Sequence, residues 1–178
     1  MNPLAQRIHS VADWKDLDFD ANTMKQLNEL KSTLSQPEVY AERSTKHETQ
    51  HVLFKGALGS GKTLSAQLLG KELRREVYRV DVSQLVSKYI GETEKNLEAI
   101  FRRAESTNAI LFFDEADAIF GKRTDVKDSN DRYANQEISY LLQRIESYAG
   151  TIIFSSKGNI DDGFIRRLRY VVEFNSKS

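Results

Sequence analysis

Gly56-Ala57-Leu58-Gly59-Ser60-Gly61-Lys62-Thr63 stands between an apolar run, His51-Val52-Leu53-Phe54, and a stretch with Leu64, Leu68, Leu69 and Leu73 on one helical side. The octet fits G-x-x-x-x-G-K-[ST]. Glycines in such a loop let successive backbone N–H groups turn inward toward phosphate oxygens. Lys62 can reach the β- and γ-phosphates of a nucleotide, and the Thr63 hydroxyl can ligate Mg²⁺. A helix predicted from about Thr63 to Arg75 adds the positive end of its dipole. The alternative is an ordinary glycine-rich turn, but the strand before it and the helix after it are the setting a phosphate cradle needs. Gly56, Gly59, Ser60, Gly61, Lys62, Thr63 and Leu64 are candidate nucleotide-binding residues.

Downstream, strands and helices alternate. Val77 to Asp81, Ala109 to Phe113, Thr151 to Phe154 and Tyr170 to Phe174 read as strands. Helices are predicted over Thr93 to Ser106 and Ala134 to Tyr148, with 121–132 as a charged loop between. Together with the strand at His51 this predicts an α/β, three-layer P-loop fold with a five-stranded parallel sheet flanked by helices. Upstream, Leu27, Leu30 and Leu34 mark a helix that ends near Pro37, and 41–50 is polar and linker-like. Residues 1–50 are read as an N-terminal linker and helix, and 51–178 as the nucleotide-binding unit.

The third strand runs Ile110-Leu111-Phe112-Phe113 and ends in Asp114-Glu115. In parallel sheets, ligands bind beyond the carboxyl ends of the strands, the end at which the glycine loop also lies. Asp114 can hold the Mg²⁺ shell, and Glu115 can orient and deprotonate an attacking water. The plainer reading is a solvated strand end, with Asp117 simply capping the next turn of chain.

Composition narrows the field. The 178 residues carry 26 Lys+Arg against 26 Asp+Glu, so nothing in the net charge draws the chain to nucleic acid or to an anionic membrane. No apolar run is long enough to cross a membrane or to serve as a signal peptide, and without cysteine there is no disulfide or thiolate site. A cytoplasmic location fits. His47-Glu48-Thr49-Gln50-His51 is a literal H-E-x-x-H, which on a helix would bind zinc. Here it lies in a polar linker and runs straight into a strand. The only other histidine is His9, although a Glu could complete a zinc site.

The two motifs together resemble the AAA+ ATPase family in its AAA branch. The likeness continues through Ser87 to Leu97, Phe120 to Arg123, Asn130 to Glu137 and Phe164 to Arg169, covering roughly residues 50–174. It implies an ATP- and Mg-dependent ATPase. The expected assembly is a homo-oligomeric, usually hexameric ring that remodels, unfolds or translocates a protein partner. Lys88, Tyr89 and Ile90 match the family's first pore loop, with Tyr89 gripping substrate; by its residues alone Tyr89 reads equally as a buried strand-end aromatic. Loop 121–132 matches the second pore loop, or is simply a solvated charge run. Arg166, Arg167 and Arg169 fall where the family places its arginine fingers, Arg167 foremost; a basic cap on a helix end is the plainer reading. Asp13 to Phe19 is similar to the family's N-terminal linker, which implies that Asp16 and Leu17 border the nucleotide.

Departures are informative. Ala57 and Leu58 replace the family's two prolines. Lys157 stands where the fourth strand of the family ends in an Asn that contacts the γ-phosphate or the water, and Asn159 is a possible substitute. No counterpart of the family's helical lid precedes Ser178, so the lid lies on a longer chain or the protein is a single subdomain. These departures motivate a poorly hydrolysing nucleotide switch or scaffold as the alternative. A DNA-handling ATPase of clamp-loader type is a third, which the zero net charge and the aromatic at 89 oppose.

Overall fold

The computed structural model describes residues 4–35, 50–87, 93–122 and 136–175. The candidate pore-loop residues Lys88, Tyr89 and Ile90, most of loop 121–132, and His47 and Glu48 lie outside them.

Six strands form one sheet: β1 (Ala5–Ile8), β2 (Gln50–Lys55), β3 (Val77–Asp81), β4 (Ile110–Asp114), β5 (Thr151–Ser156) and β6 (Tyr170–Glu173). Their order across the sheet is β1-β3-β4-β5-β2-β6. The five strands from β2 onward are parallel, as the sequence predicts. β1 is an addition, running antiparallel along β3 from Ala5 opposite Val80 to Ile8 opposite Val77. Its four residues carry exposed Gln6 and Arg7 at the centre, so no hydrophobic alternation announces it.

The strands show why three layers form. Successive side chains point to opposite faces. In β4, Leu111 and Phe113 enter one core with Leu53, Val80, Ile152 and Phe154. Ile110 and Phe112 enter the other with Val52, Phe54, Ile153 and Val172. The first core is covered by α3 (Val82–Ser87), α4 (Thr93–Thr107), the one-turn α5 (Asp117–Phe120) and α6 (Gln136–Ser147), with the short α7 (Asp162–Ile165) against it. The second is covered by α1 (Ala21–Leu34) and α2 (Lys62–Leu73).

Leu27, Leu30 and Leu34 of α1 are buried, as their spacing predicts. Asp20 starts this helix by accepting the Thr23 N–H at 2.8 Å. The helix is bound to β6: the Thr23 hydroxyl donates to the Glu173 carbonyl at 2.6 Å, and Gln26 accepts the Glu173 N–H at 2.9 Å. On α2, Leu68 and Leu69 are buried and Leu73 partly so, whereas Leu64 turns to a cavity at the carboxyl end of the sheet.

Candidate nucleotide site

That cavity, of about 500 Å³, lies between the loop after β2, the end of β4 and the end of β5. Its wall includes Gly59, Ser60, Gly61, Lys62, Thr63 and Leu64 from the loop and helix start, Asp114, Glu115 and Asp117 from beyond β4, and Lys157 from beyond β5. Residues nearly a hundred positions apart meet there because β2 and β5 are neighbours in parallel register.

The loop is wound by backbone that glycine tolerates. Gly59 and Gly61 have φ of +77° and +98°. A β-carbon on Gly61 would stand 2.9 Å from the Phe19 ring and 3.3 Å from Leu17. α2 begins directly after, and its first intrahelical bond runs from the Ser65 N–H to the Gly61 carbonyl at 2.9 Å. The N–H groups of Lys62, Thr63 and Leu64 precede that bond and have no acceptor within the helix. Gly61, as the cap, offers no side chain to take them. The Ser60 hydroxyl is buried without a partner.

Lys62 is 8% exposed. Its ammonium donates to the carbonyls of Gly56, Ala57 (3.4 Å) and Ser156 (3.0 Å). Gly56 donates its N–H to the same Ser156 carbonyl at 3.0 Å, which ties the loop to β5. Burial lowers the Lys62 pKa from its ordinary value, while Asp114 and Asp117 act to raise it. An anion in the cavity would restore the favourable field that water otherwise supplies.

The end of β4 presents three carboxylates. Asp114 accepts two hydrogen bonds on Oδ2 from Arg79, at 2.9 and 2.7 Å, and one on Oδ1 from the Glu115 N–H at 2.9 Å. Glu115 is exposed at the rim with φ +56°, a left-handed conformation unusual for a side chain of this kind. Asp117 has one buried oxygen without a partner, and the other accepts the Lys157 N–H at 3.2 Å. Thr63 and Asp114 offer hard oxygens on one cavity wall. That donor set suits Mg²⁺, which takes one or two protein oxygens and keeps phosphate oxygens and water for the rest. The orphaned Ser60 hydroxyl and the free N–H groups suit phosphate in the same way. The residues therefore fit both ATP and Mg.

Other predicted residues lie elsewhere. Asp16 accepts the Asp13 N–H at 2.8 Å and does not line the cavity; Leu17 reaches it only through its packing on Gly61. Asn159 turns its backbone carbonyl to the Lys122 N–H at 3.1 Å and stays out of the cavity, so Lys157 alone of the two faces it. Arg166 ends α7, Arg167 pairs with Glu146 at 3.1 Å on the surface, and the Arg169 N–H bonds the His51 carbonyl at 2.9 Å. None of these arginines lines the cavity. His51 sits in β2, buried, and among the described residues no group of three His, Cys, Asp or Glu could hold a metal.

Arg79 and Ser156 are site residues that motif spacing does not single out. Each carries a signal nonetheless: a lone cation two places before the carboxyl end of a parallel strand, and a serine pair ending a strand beside the glycine loop.

The AAA family model, the ATPase family associated with various cellular activities, matches residues 52–176. The chain belongs to this family. The AAA match begins at β2 and runs past β6. Among relatives, proteasome-activating nucleotidase from Methanocella arvoryzae is 32% identical over 156 residues, covering 84% of this chain and 36% of the relative. Peroxisomal ATPase PEX6 from Arthrobotrys oligospora is 33% identical over 152 residues, covering 83% of this chain and 13% of the relative. The chain thus spans about a third of the first relative and a smaller part of the second. The crystal structure of the FIGL-1 AAA domain in complex with ADP superposes with a TM-score of 0.68 at 20% identity, covering 97% of this chain and 58% of that one. That likeness concerns the AAA fold.

Proposed function

We propose that this chain binds ATP with Mg²⁺ in the cavity beyond β2, β4 and β5 and hydrolyses it. The observation that carries the reading is convergence. The glycine loop, the buried Lys62 and the Asp114-Glu115 pair enclose one space of about 500 Å³. The N–H groups of residues 61–64, the Ser60 hydroxyl and Lys62 hold the phosphates. Thr63 and Asp114 hold the metal, which when bound offsets charge on the phosphate oxygens. Glu115 orients a water and takes its proton as the water oxygen bonds the γ-phosphorus and the β–γ bridging bond breaks.

Arg166, Arg167 and Arg169 lie outside the cavity, so on this reading they act on the site of a neighbouring copy. An arginine supplied in trans raises turnover about 10³- to 10⁵-fold in related systems. A ring of copies, a cytoplasmic setting and a protein partner contacted through Lys88, Tyr89 and Ile90 complete the proposal. The names of the relatives, a proteasome activator and a peroxisomal ATPase, support it. So does the fact that no described helix is long and apolar enough to cross a membrane.

The test is ATP turnover against protein concentration, beside Glu115→Gln. Specific activity that rises with concentration and vanishes in the variant supports an assembling ATPase. Wild-type turnover in the variant removes Glu115 from the mechanism. The presence of Lys157 in the cavity favours a second reading, a slowly hydrolysing switch. Its signature is tight ATP binding with turnover flat at the level of Glu115→Gln.

A further inference from the structure

Arg79 and Asp81 stand two places apart in β3, hence on one face, and Asp81 is in register with Asp114 of β4. Two carboxylates side by side at neighbouring strand ends repel unless a cation sits between them. Arg79 is that cation. Its Nε and Nη2 both bond Asp114 Oδ2, and Nη2 is already 3.8 Å from Asp81 Oδ2. All three side chains are largely sheltered, at 30%, 19% and 18% exposure.

This arrangement occupies one of the two Asp114 oxygens that a metal could take. A carboxylate oxygen has two lone-pair sites, and Arg79 fills both on Oδ2. Oδ1 keeps one, beside the Glu115 N–H. A guanidinium at 2.7 Å also cancels the charge that would recruit a cation.

We propose that Arg79 and the divalent cation compete for Asp114, and that Arg79 transfers to Asp81 when the cation is bound. The inference rests on the nucleotide-binding reading of the cavity. Its consequence reaches beyond the cavity. Asp81 Oδ1 accepts the Ser83 hydroxyl at 2.7 Å and the Gln84 N–H at 3.3 Å, and so holds the start of α3. In sequence, α3 leads directly to Lys88-Tyr89-Ile90. Arg79 thus has two seats, one at the metal position and one at the root of the helix that precedes the candidate substrate loop. A two-position element of this kind is what coupling between sites requires.

The experiment is binding of a fluorescent ATP analogue to the full chain, titrated with Mg²⁺ from a chelator-treated start. Arg79→Met removes the competitor, so half-saturating Mg²⁺ falls by roughly three- to tenfold. Asp81→Asn removes the second seat yet keeps a good helix cap, so half-saturating Mg²⁺ rises by a similar factor. With both changes the protein matches Arg79→Met alone, because Asp81 acts only through Arg79. An unchanged or raised value in Arg79→Met, an unchanged value in Asp81→Asn, or simple additivity overturns the proposal. If Arg79→Met fails to fold by circular dichroism, Asp81→Asn decides the matter alone. A wild type that binds no nucleotide at any Mg²⁺ level overturns the underlying reading instead, an outcome separate from a flat response of the variants.

Discussion

The Phe19 ring rests directly on Gly61: a β-carbon there would stand 2.9 Å from two atoms of the ring. Phe19 in turn meets Phe174 edge-on, with ring centroids 5.3 Å apart, so the N-terminal segment and the end of β6 jointly press on the phosphate loop. Gly61→Ala combines this overlap with a left-handed backbone. The expected loss is about 2–4 kcal/mol of stability, read by denaturant unfolding, together with loss of nucleotide binding. Phe19→Ala leaves a void instead and costs about 3–5 kcal/mol. A Gly61→Ala protein with wild-type stability would show that the Phe19 ring does not press on the loop.

Lys62→Ala should abolish binding of a labelled ATP analogue. It also leaves the carbonyls of Gly56, Ala57 and Ser156 without their shared donor, so the loop loses its tie to β5 through that side chain. Unchanged affinity would reject the assignment of the loop as a phosphate cradle.

Glu115 sits at φ +56°. Such backbone costs an ordinary residue roughly 1–2 kcal/mol and is retained where function needs it. Glu115→Gly should therefore be more stable than Glu115→Gln by up to about 1 kcal/mol, after the added chain entropy of glycine is counted. Both should abolish turnover. Equal melting temperatures for the two variants would show that the loop bears no strain at this position.

Lys157 brings a positive charge to the cavity where relatives of this fold are expected to use an amide. It should favour three phosphates over two. Lys157→Asn is expected to lower the ratio of ATP to ADP affinity by roughly three- to tenfold at low salt, with a smaller change as salt screens the exposed ammonium. Titrations of matched fluorescent ATP and ADP analogues measure the ratio, and an unaltered ratio would take Lys157 out of the binding site.

His51 is buried with Nε2 unpartnered, and desolvation pushes its pKa down from 6.5 to about 4, against a backbone hydrogen bond with Tyr148 that acts the other way. The unfolded chain therefore binds a proton that the fold refuses. Stability from this group is fully present above pH 6.5 and is lost as pH falls toward 4, by up to about 3 kcal/mol. His51→Leu should flatten the fall between pH 6.5 and 5. Thermal melts across that range decide it, and parallel curves for the two proteins would contradict the assignment.

Much of this architecture is open to reading in the chain. Continuous apolar runs such as Ile110 to Phe113 identify strands covered on both faces, and local spacing fixes the glycine loop. What escapes depends on partners distant in sequence. β1 exists because β3 offers it a backbone edge, and nothing in Ala-Gln-Arg-Ile advertises that. Arg79 looks like an interruption of an apolar strand until Asp114, 35 residues on, is placed beside it. Leu64 belongs to the leucine series of its helix, yet the helix begins at the cavity, so this first leucine lines that space and does not enter the core.

β1 and α1 belong to one stretch of chain, residues 4–35, which reaches both borders of the sheet. Along β3 it satisfies a row of backbone groups; along β6 it supplies Thr23, Gln26 and three buried leucines. A version of the protein shortened to start at Gln50 would be injured twice by one cut. β3 would present a bare Val77-Tyr78-Arg79-Val80 margin to other molecules, and Val172 and Phe174 would lose much of their apolar cover. Such a margin is a template for uncontrolled strand pairing. The shortened form is therefore destined for aggregates and inclusion bodies, not for a smaller working enzyme.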